Sequence, residues 1–347
     1  MKKVVIGISG GVDSSVAALL LQKQGYEVIG VTFIFTDNFD TKDVEEVCNR
    51  LKIKHIIKDY RKEFKEKIID SFTNDYKVGL TPNPCVLCNK TVKVKYLFDI
   101  MKEAEADYVA TGHYGRIIDG KLYKSENLDK DQSYFLAGLP KEQLEKLLFP
   151  LDSMSKEEVR KIASENNLIN ANKKDSFDVC FITSNFKEYM ESCVNTNKGP
   201  IINIETNEVV GEHNGLSYYT IGQRKGLDLG GNQERTFVVG KDLEKNILYV
   251  ASGDQNNYLY SDSALITDVN WISDKKIDKC SAKFRYRQPD NEVYLEHIDN
   301  NNILVKYPQF IKSVTPGQTC VFYLEDECLG SGTIKEVYKN KDKIKYL

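Results

Sequence analysis

Long hydrophobic runs are missing from this chain. No apolar stretch approaches the ~20 residues that a helix needs to cross a bilayer, so no membrane role is expected. The opening run Val4-Val5-Ile6-Gly7-Ile8 breaks at Ser9, too early for a secretory signal. Strong charge of either sign is missing too. The net charge is −3 over 347 residues, so nucleic-acid binding does not show in the total and can show only locally. Repeats and low-complexity tracts are absent. A disulfide framework is absent as well. Eight cysteines at irregular spacing, without a secretory signal, imply reduced thiols and a cytoplasmic protein. Lysine is absent from the turn that follows the first apolar run. That excludes the P-loop of kinases and GTPases, which ends in Gly-Lys-Ser/Thr.

What stands in that turn is Ser9-Gly10-Gly11-Val12-Asp13-Ser14. It lies between a short buried strand and the helical stretch Ser15 to Leu21. A strand-to-helix turn aims free backbone N–H groups and the positive end of a helix dipole at one spot. Glycine lets the backbone approach a bound anion closely. The turn therefore reads as a phosphate cradle. Its pattern resembles the PP-loop of ATP pyrophosphatases, which split ATP between the α and β phosphates and place AMP on a substrate oxygen.

A hydrophobic content of 41% and a charged content of 29% describe a globular protein. The length calls for two or three domains. The first half alternates strand and helix, with strands at Val4 to Ile8, Glu27 to Phe33, Lys54 to Tyr60 and Asp107 to Thr111. Helices are expected at Thr41 to Leu51, Arg61 to Tyr76 and Lys90 to Glu105. This order predicts an α/β domain, a doubly wound parallel sheet with helices on both faces. Ligands on such sheets bind beyond the carboxyl ends of the strands, so the loops at Ser9, Phe33 and Thr111 should meet. Past Asn197 short β-rich runs replace the helices, suggesting a small mixed domain and then a β-barrel. The expected domains are 1–199, 200–269 and 270–347.

Three cysteines stand out. Cys85 and Cys88 form a CxxC at the exit of a loop stiffened by Pro82 and Pro84. A thiol at a helix start near Lys90 should have a lowered pKa. Cys180 follows the basic pair Lys173-Lys174. Alone, the CxxC also suits zinc or a redox disulfide, but no nearby His or Cys completes a zinc set at the usual spacing. The stretch from Lys77 to Lys95 carries Lys77, Lys90, Lys93 and Lys95 and no acid. It is either a local RNA-facing patch or a solvated face. Cys48, Cys193, Cys280, Cys320 and Cys328 fall in helix or strand patterns and read as packing.

Eight motifs, in order along nearly the whole chain, carry a closer resemblance. They are Gly7 to Ser15, Thr81 to Lys90, Ala110 to Tyr114, Lys130 to Leu136, Lys173 to Ile182, Thr220 to Leu227, Arg285 to Gln288 and Thr315 to Gln318. With these the chain resembles the bacterial tRNA-specific 2-thiouridylases. The resemblance implies an ATP-dependent transferase. ATP adenylates the C2 oxygen of the wobble uridine of tRNA, and sulfur then displaces AMP to give 2-thiouridine. It implies that Cys180 carries a persulfide and that Cys88 is the partner thiol, called the nucleophile. It implies an ATP site at Gly7, Ile8, Ser9, Gly10, Gly11, Val12, Asp13 and Ser14, with Phe33 and Gly112 against the adenosine. Magnesium is expected with ATP, with Asp13 near the right place. Asn83, Pro84 and Cys85 match the segment at the target base. His113, Lys130, Asp131, Gln132, Arg285, Tyr286 and Gln318 match tRNA contacts. Expected partners are tRNA and a sulfur donor, such as a cysteine desulfurase or relay protein, with no DNA.

Two departures from the family pattern matter. The loop between Phe33 and Thr41 is short, and position 85 is cysteine where many members carry aspartate. Cys85, Cys88 and Cys180 together could hold three irons of a [4Fe-4S] cluster whose fourth iron binds sulfur. This stands beside the persulfide route. Outside the class remain a PP-loop synthetase acting on a small metabolite and a non-catalytic, ATP-gated RNA-binding protein.

Overall fold

The computed structural model describes residues 1–173, 179–182, 186–194, 197–230, 234–275 and 277–346. Strand β1 (Lys3–Gly7) lies at the centre of a five-stranded sheet. On one side come β2 (Glu27–Ile34) and β3 (Lys54–Asp59); on the other come β4 (Tyr108–Ala110) and the short β7 (Leu147–Leu148). Every pairing is parallel. Successive β1 side chains enter different cores. Val5 packs with Val31, Leu97 and Phe64 on one face; Val4 and Ile6 pack with Val16, Val47 and Ala110 on the other. A strand buried on both faces must be a continuous apolar run, which is why β1 shows no alternation. The chain winds outward from β1 to β3, then returns to place β4 on the other side. The gap between the β1 and β4 loops is therefore the topological switch point, where such sheets hold ligands.

Helix α1 (Val12–Lys23) follows β1, and α2 (Lys42–Leu51) follows β2. On α2, Val44, Val47, Cys48 and Leu51 are buried, as their spacing predicts. Cys48 sits against Gly30, where a β-carbon would lie 3.0 Å from its sulfur. Residues 61–77 form α3, with a π-helical segment at Lys65–Ile69. Residues 84–103 form α4, and here the sequence reading needs correction. The helix starts at Pro84 and does not wait for Cys88. Asn83 caps it by accepting the Cys85 N–H at 3.2 Å, and Pro84 takes the first helical position, where its missing N–H costs nothing. The second proline is a helix opener, not a loop stiffener. Directly after Cys88, residues Asn89–Lys93 widen into a π-helical turn.

The hairpin β5 (Arg116–Ile118) and β6 (Lys121–Tyr123) leaves the first domain and touches the barrel through the pair Tyr123 and Glu327. The middle domain is a mixed four-stranded sheet in the order β10-β11-β8-β9, built from β8 (Gly199–Asn203), β9 (Val209–His213), β10 (Thr236–Asp242) and β11 (Ile247–Ser252). Six antiparallel strands form the barrel: β12 (Tyr260–Trp271), β13 (Lys279–Lys283), β14 (Asn291–His297), β15 (Ile303–Lys312), β16 (Thr319–Leu324) and β17 (Glu327–Lys339). Pairing of β12 with β17 closes it. The boundary expected at 269/270 cuts through β12. Ser261 and Ser263 are buried and their strand belongs to the barrel. Among the described residues, no helix is long and apolar enough to cross a membrane.

Candidate active site

Gly11 is the N-cap of α1, and no side chain caps the helix there. The first N–H groups of α1 thus have no side-chain acceptor of their own, as a phosphate cradle requires. Gly10 has φ +75°, a conformation that glycine adopts without strain. The loop is fixed from within. Ser14 Oγ donates to Gly11 O at 3.1 Å and accepts the Ser9 N–H at 3.2 Å, and Ser15 Oγ also donates to Gly11 O. Buried Asn170 fastens it from below, donating to Ser15 Oγ at 2.8 Å and to the carbonyls of Gly10 and Gly11. This geometry fits the phosphates of ATP.

Asp13 is already neutralised. Lys156 Nζ donates to both its carboxylate oxygens at 2.8 Å, and Tyr114 OH donates at 2.9 Å. Lys156 opens α5 (Lys156–Glu165), a helix fixed by a capping box between Ser155 and Glu158. Magnesium, expected with ATP near Asp13, would meet a carboxylate already paired with the Lys156 ammonium.

From the other side of the switch point, the loop after β4 presses onto the cradle. A β-carbon on Gly112 would lie 2.7 Å from Ser14 N and 2.9 Å from the Asp13 carbonyl carbon. Only glycine fits there without moving backbone. The next residue, His113, accepts from or donates to Thr111 Oγ1 through Nδ1 at 2.8 Å. Burial lowers its pKa to about 3, with the positive charge of Lys93 acting in the same direction. His113 is neutral at any working pH. Phe33 is buried among Phe35, Tyr60 and Tyr96, with ring centroids 5.4 to 6.3 Å away.

Lys93 connects this loop to the thiols. Lys93 lies one π turn after Cys88, and its charge and backbone N–H both act on the Cys88 thiol. The Cys88 thiol is buried, and burial raises its pKa to about 11; the Lys93 ammonium and backbone N–H both oppose that rise. Cys85, one turn earlier, is also raised by burial and eased by Lys93. Burial works to lower the Lys93 pKa, but the thiols Cys88, Cys180 and Cys85 outweigh it and hold the ammonium above its ordinary value. Three cysteines therefore share one cation. The expected lowered pKa at Cys88 is overturned: the thiol lies a full turn inside the helix, Lys90 is exposed to solvent, and desolvation dominates. Cys180 is exposed. It is held by its neighbour Phe181, whose ring packs edge-on against Phe64 and Phe72 at 5.8 and 5.3 Å. Lys174 to Asp178 of that motif lie outside the described residues. Among the described residues, no three His, Cys, Asp or Glu side chains are grouped to hold a metal ion. Cys85, Cys88 and Cys180 do not stand as a cluster ligand set here.

Residues 2–184 match the family described as tRNA methyl transferase HUP domain, 187–252 its PRC-barrel domain, and 261–334 an aminomethyltransferase β-barrel domain. The tRNA-specific 2-thiouridylase MnmA of Bacillus cytotoxicus is 46% identical over 99% of this chain and 98% of its own. The chain belongs to the tRNA-specific 2-thiouridylase family. The Geobacillus thermodenitrificans thiouridylase matches equally, at 46% over 99% of this chain. Among solved structures, a 4-thiouridine synthetase in complex with RNA and ATP aligns over 55% of this chain at 17% identity, with a TM-score of 0.38; so low a score carries no functional information.

In this thiouridylase several residues expected at tRNA are engaged inside the fold. Asp131 is buried, accepting from the backbone N–H groups of Ser125 and Ser133 and from Ser133 Oγ. Gln132 accepts the Tyr114 N–H and donates its own N–H to Tyr114 O, bracing the partner of Asp13. Lys130 is half-buried on the same loop. Arg285 was expected to face RNA from the barrel. Its guanidinium donates to Ile221 O at 2.7 Å and Thr315 Oγ1 at 2.6 Å, joining barrel to middle domain. Burial lowers its pKa. Tyr286 packs on Phe135 at 4.3 Å, beside Tyr134. Gln318 donates to Thr81 O at 2.6 Å, and the Thr81 N–H donates to Pro316 O. The barrel thereby holds the loop that precedes Cys85. Sequence reasoning missed Lys156 and Asn170, which carry no local motif, and saw Tyr114 only as the end of a motif, not as a partner of Asp13. It saw Lys93 only as one charge in a basic stretch.

Proposed function

We propose that this chain is a tRNA uridine 2-sulfurtransferase that consumes ATP and receives sulfur as a persulfide on Cys180. One observation carries the reading. Gly112 touches the phosphate cradle while His113, next to it, feels the charge of Lys93 and so borders the three thiols. This supports a nucleotide site and a sulfur site that share one switch point.

The chemistry follows from that adjacency. The C2 oxygen of the uridine attacks the α-phosphate, and pyrophosphate leaves with the bonding electrons. C2 then carries a good leaving group. The terminal sulfur of the Cys180 persulfide attacks C2, and AMP departs. The Cys88 thiolate attacks the Cys180 sulfur, breaks its S–S bond and leaves the outer sulfur on C2 as thiocarbonyl. A Cys88–Cys180 disulfide remains, which an external thiol must reduce. Exposure of Cys180 suits loading by a separate sulfur donor, such as a cysteine desulfurase or relay protein. Lys93 supports the thiolate that forms on Cys88. ATP supplies the adenylate, held by the cradle at Gly10 to Ser14. No step here passes through a metal, and the [4Fe-4S] alternative is left to the Cys85 variant to decide.

Incubation with ATP, unmodified tRNA and a persulfide donor, followed by nucleoside mass spectrometry, tests the proposal. The expected product is 2-thiouridine, lost in Cys88→Ala and Cys180→Ala. Absence of 2-thiouridine from the parent protein, or full activity in either variant, rejects it.

A further inference from the structure

The phosphate loop has no lysine of its own, yet the pyrophosphate that leaves carries several negative charges. Lys156 is committed to both oxygens of Asp13. A second ammonium overhangs the loop. Lys173 Nζ lies 3.7 Å from where a β-carbon on Gly10 would sit. It now pairs with Asp43 at 2.7 Å, with both side chains 48% exposed. An exposed pair of this kind contributes little and is readily exchanged for a stronger partner.

The backbone beneath Lys173 is not free to drift. Its N–H donates to Asn170 O at 3.0 Å, and Arg160 donates to the carbonyls of Ala171 and Lys173 at 2.8 and 3.0 Å. Asn170 is the residue that holds the carbonyls of Gly10 and Gly11. The turn at 170–173 is therefore bolted to the floor of the cradle, while the Lys173 side chain above it can change partners.

We propose that Lys173 is the missing cation of this phosphate loop. When nucleotide enters, its ammonium leaves Asp43 and binds oxygens of the β- and γ-phosphates. As the C2 oxygen bonds to the α-phosphorus and the bond to the bridging oxygen breaks, Lys173 stabilises the charge that collects on pyrophosphate. Asp43 is the resting partner and competes with the nucleotide for the ammonium. This rests on the reading of the chain as an ATP-consuming thiouridylase.

The test uses the full chain with Lys173→Met, Lys173→Arg and Asp43→Asn. Pyrophosphate release is followed with ATP and tRNA transcript, and pyrophosphate binding is measured by calorimetry. Lys173→Met should lower kcat/KM for ATP by about 10²- to 10³-fold, and Lys173→Arg should recover most of it. Asp43→Asn should bind pyrophosphate several-fold more tightly than the parent. An active parent with an unaltered Lys173→Met overturns the assignment. So does unchanged or weaker pyrophosphate binding in Asp43→Asn, a result that stands even if Lys173→Met does not fold. A parent that releases no pyrophosphate at all refutes the underlying function instead.

Discussion

Cys88 should behave as a slow thiol whose reactivity climbs with pH far beyond the usual range. Its pKa of about 11 follows from burial, opposed but not cancelled by Lys93. At pH 7.5 about 3 in 10⁴ of such thiols are ionised, against roughly 1 in 10 for a thiol of pKa about 8.5. The more basic thiolate is intrinsically about tenfold more nucleophilic, which recovers part of that deficit. The net expectation is alkylation roughly 30-fold slower than a small reference thiol, before restricted access slows it further. Iodoacetamide labelling read by peptide mass spectrometry, in brief pulses between pH 6.5 and 10.5, measures this site by site. The Cys88 rate should rise about tenfold per pH unit without levelling, while exposed Cys180 marks what free access allows. Lys93→Met removes the opposing charge and should slow Cys88 at every pH below its inflection. A Cys88 rate that levels off below pH 9, or that ignores Lys93→Met, refutes the account of the shared cation.

Other consequences are equally direct. Gly112→Ala forces a methyl into the backbone of Asp13 and Ser14; about 1–3 kcal/mol of destabilisation and weakened ATP binding are expected by thermal melting and nucleotide titration. Cys85→Ala should keep 2-thiouridine formation within about tenfold of the parent, because the proposed sulfur transfer uses only the Cys88 and Cys180 thiols; complete loss would restore the case for a cluster. Lys241 is buried, with its pKa lowered to about 8 by desolvation, and donates to Gly79 O at 3.1 Å. The unfolded chain then binds more protons than the folded one between pH 8 and about 10.4, so stability should rise across that window by at most about 3 kcal/mol. Denaturant titrations of Lys241→Met should lack this rise. Gln318→Ala removes the donor to Thr81 O; faster hydrogen exchange at Thr81 and a loss of about 1 kcal/mol should follow.

The parts of the site carried by local pattern were legible in the chain itself. Ser9 to Ser14 announces its turn because two glycines follow a buried strand, and the strand order places Gly112 opposite. The electrostatics were not legible. Closeness in sequence pointed to Lys90 as the cation beside Cys88, but it is Lys93, one π turn on, whose charge acts on the thiol. The loss of water around Cys88 depends on the core packed beneath it, which no spacing reveals. Lys156 reaches Asp13 from 143 positions away, and Asn170 reaches Gly10 from 160. Arg285 and Asp131 look like surface charges in sequence, yet their partners on other segments draw them inward. The 260–271 strand was hidden by its serines, which are polar but buried against the barrel.

The seam between the barrel and the loop at Thr81 bears on modularity. Gln318 and Pro316 grip Thr81 from one side, and a β-carbon on Gly317 would strike Leu80 and Thr81 at 2.9 Å. That grip lies two residues before Asn83, the cap that sets the start of the helix bearing both Cys85 and Cys88. The barrel is thus a jig for the thiols. Exchanging barrels between relatives should change the chemical step as well as the choice of tRNA, and the first domain cut loose should lose its aim before it loses its fold.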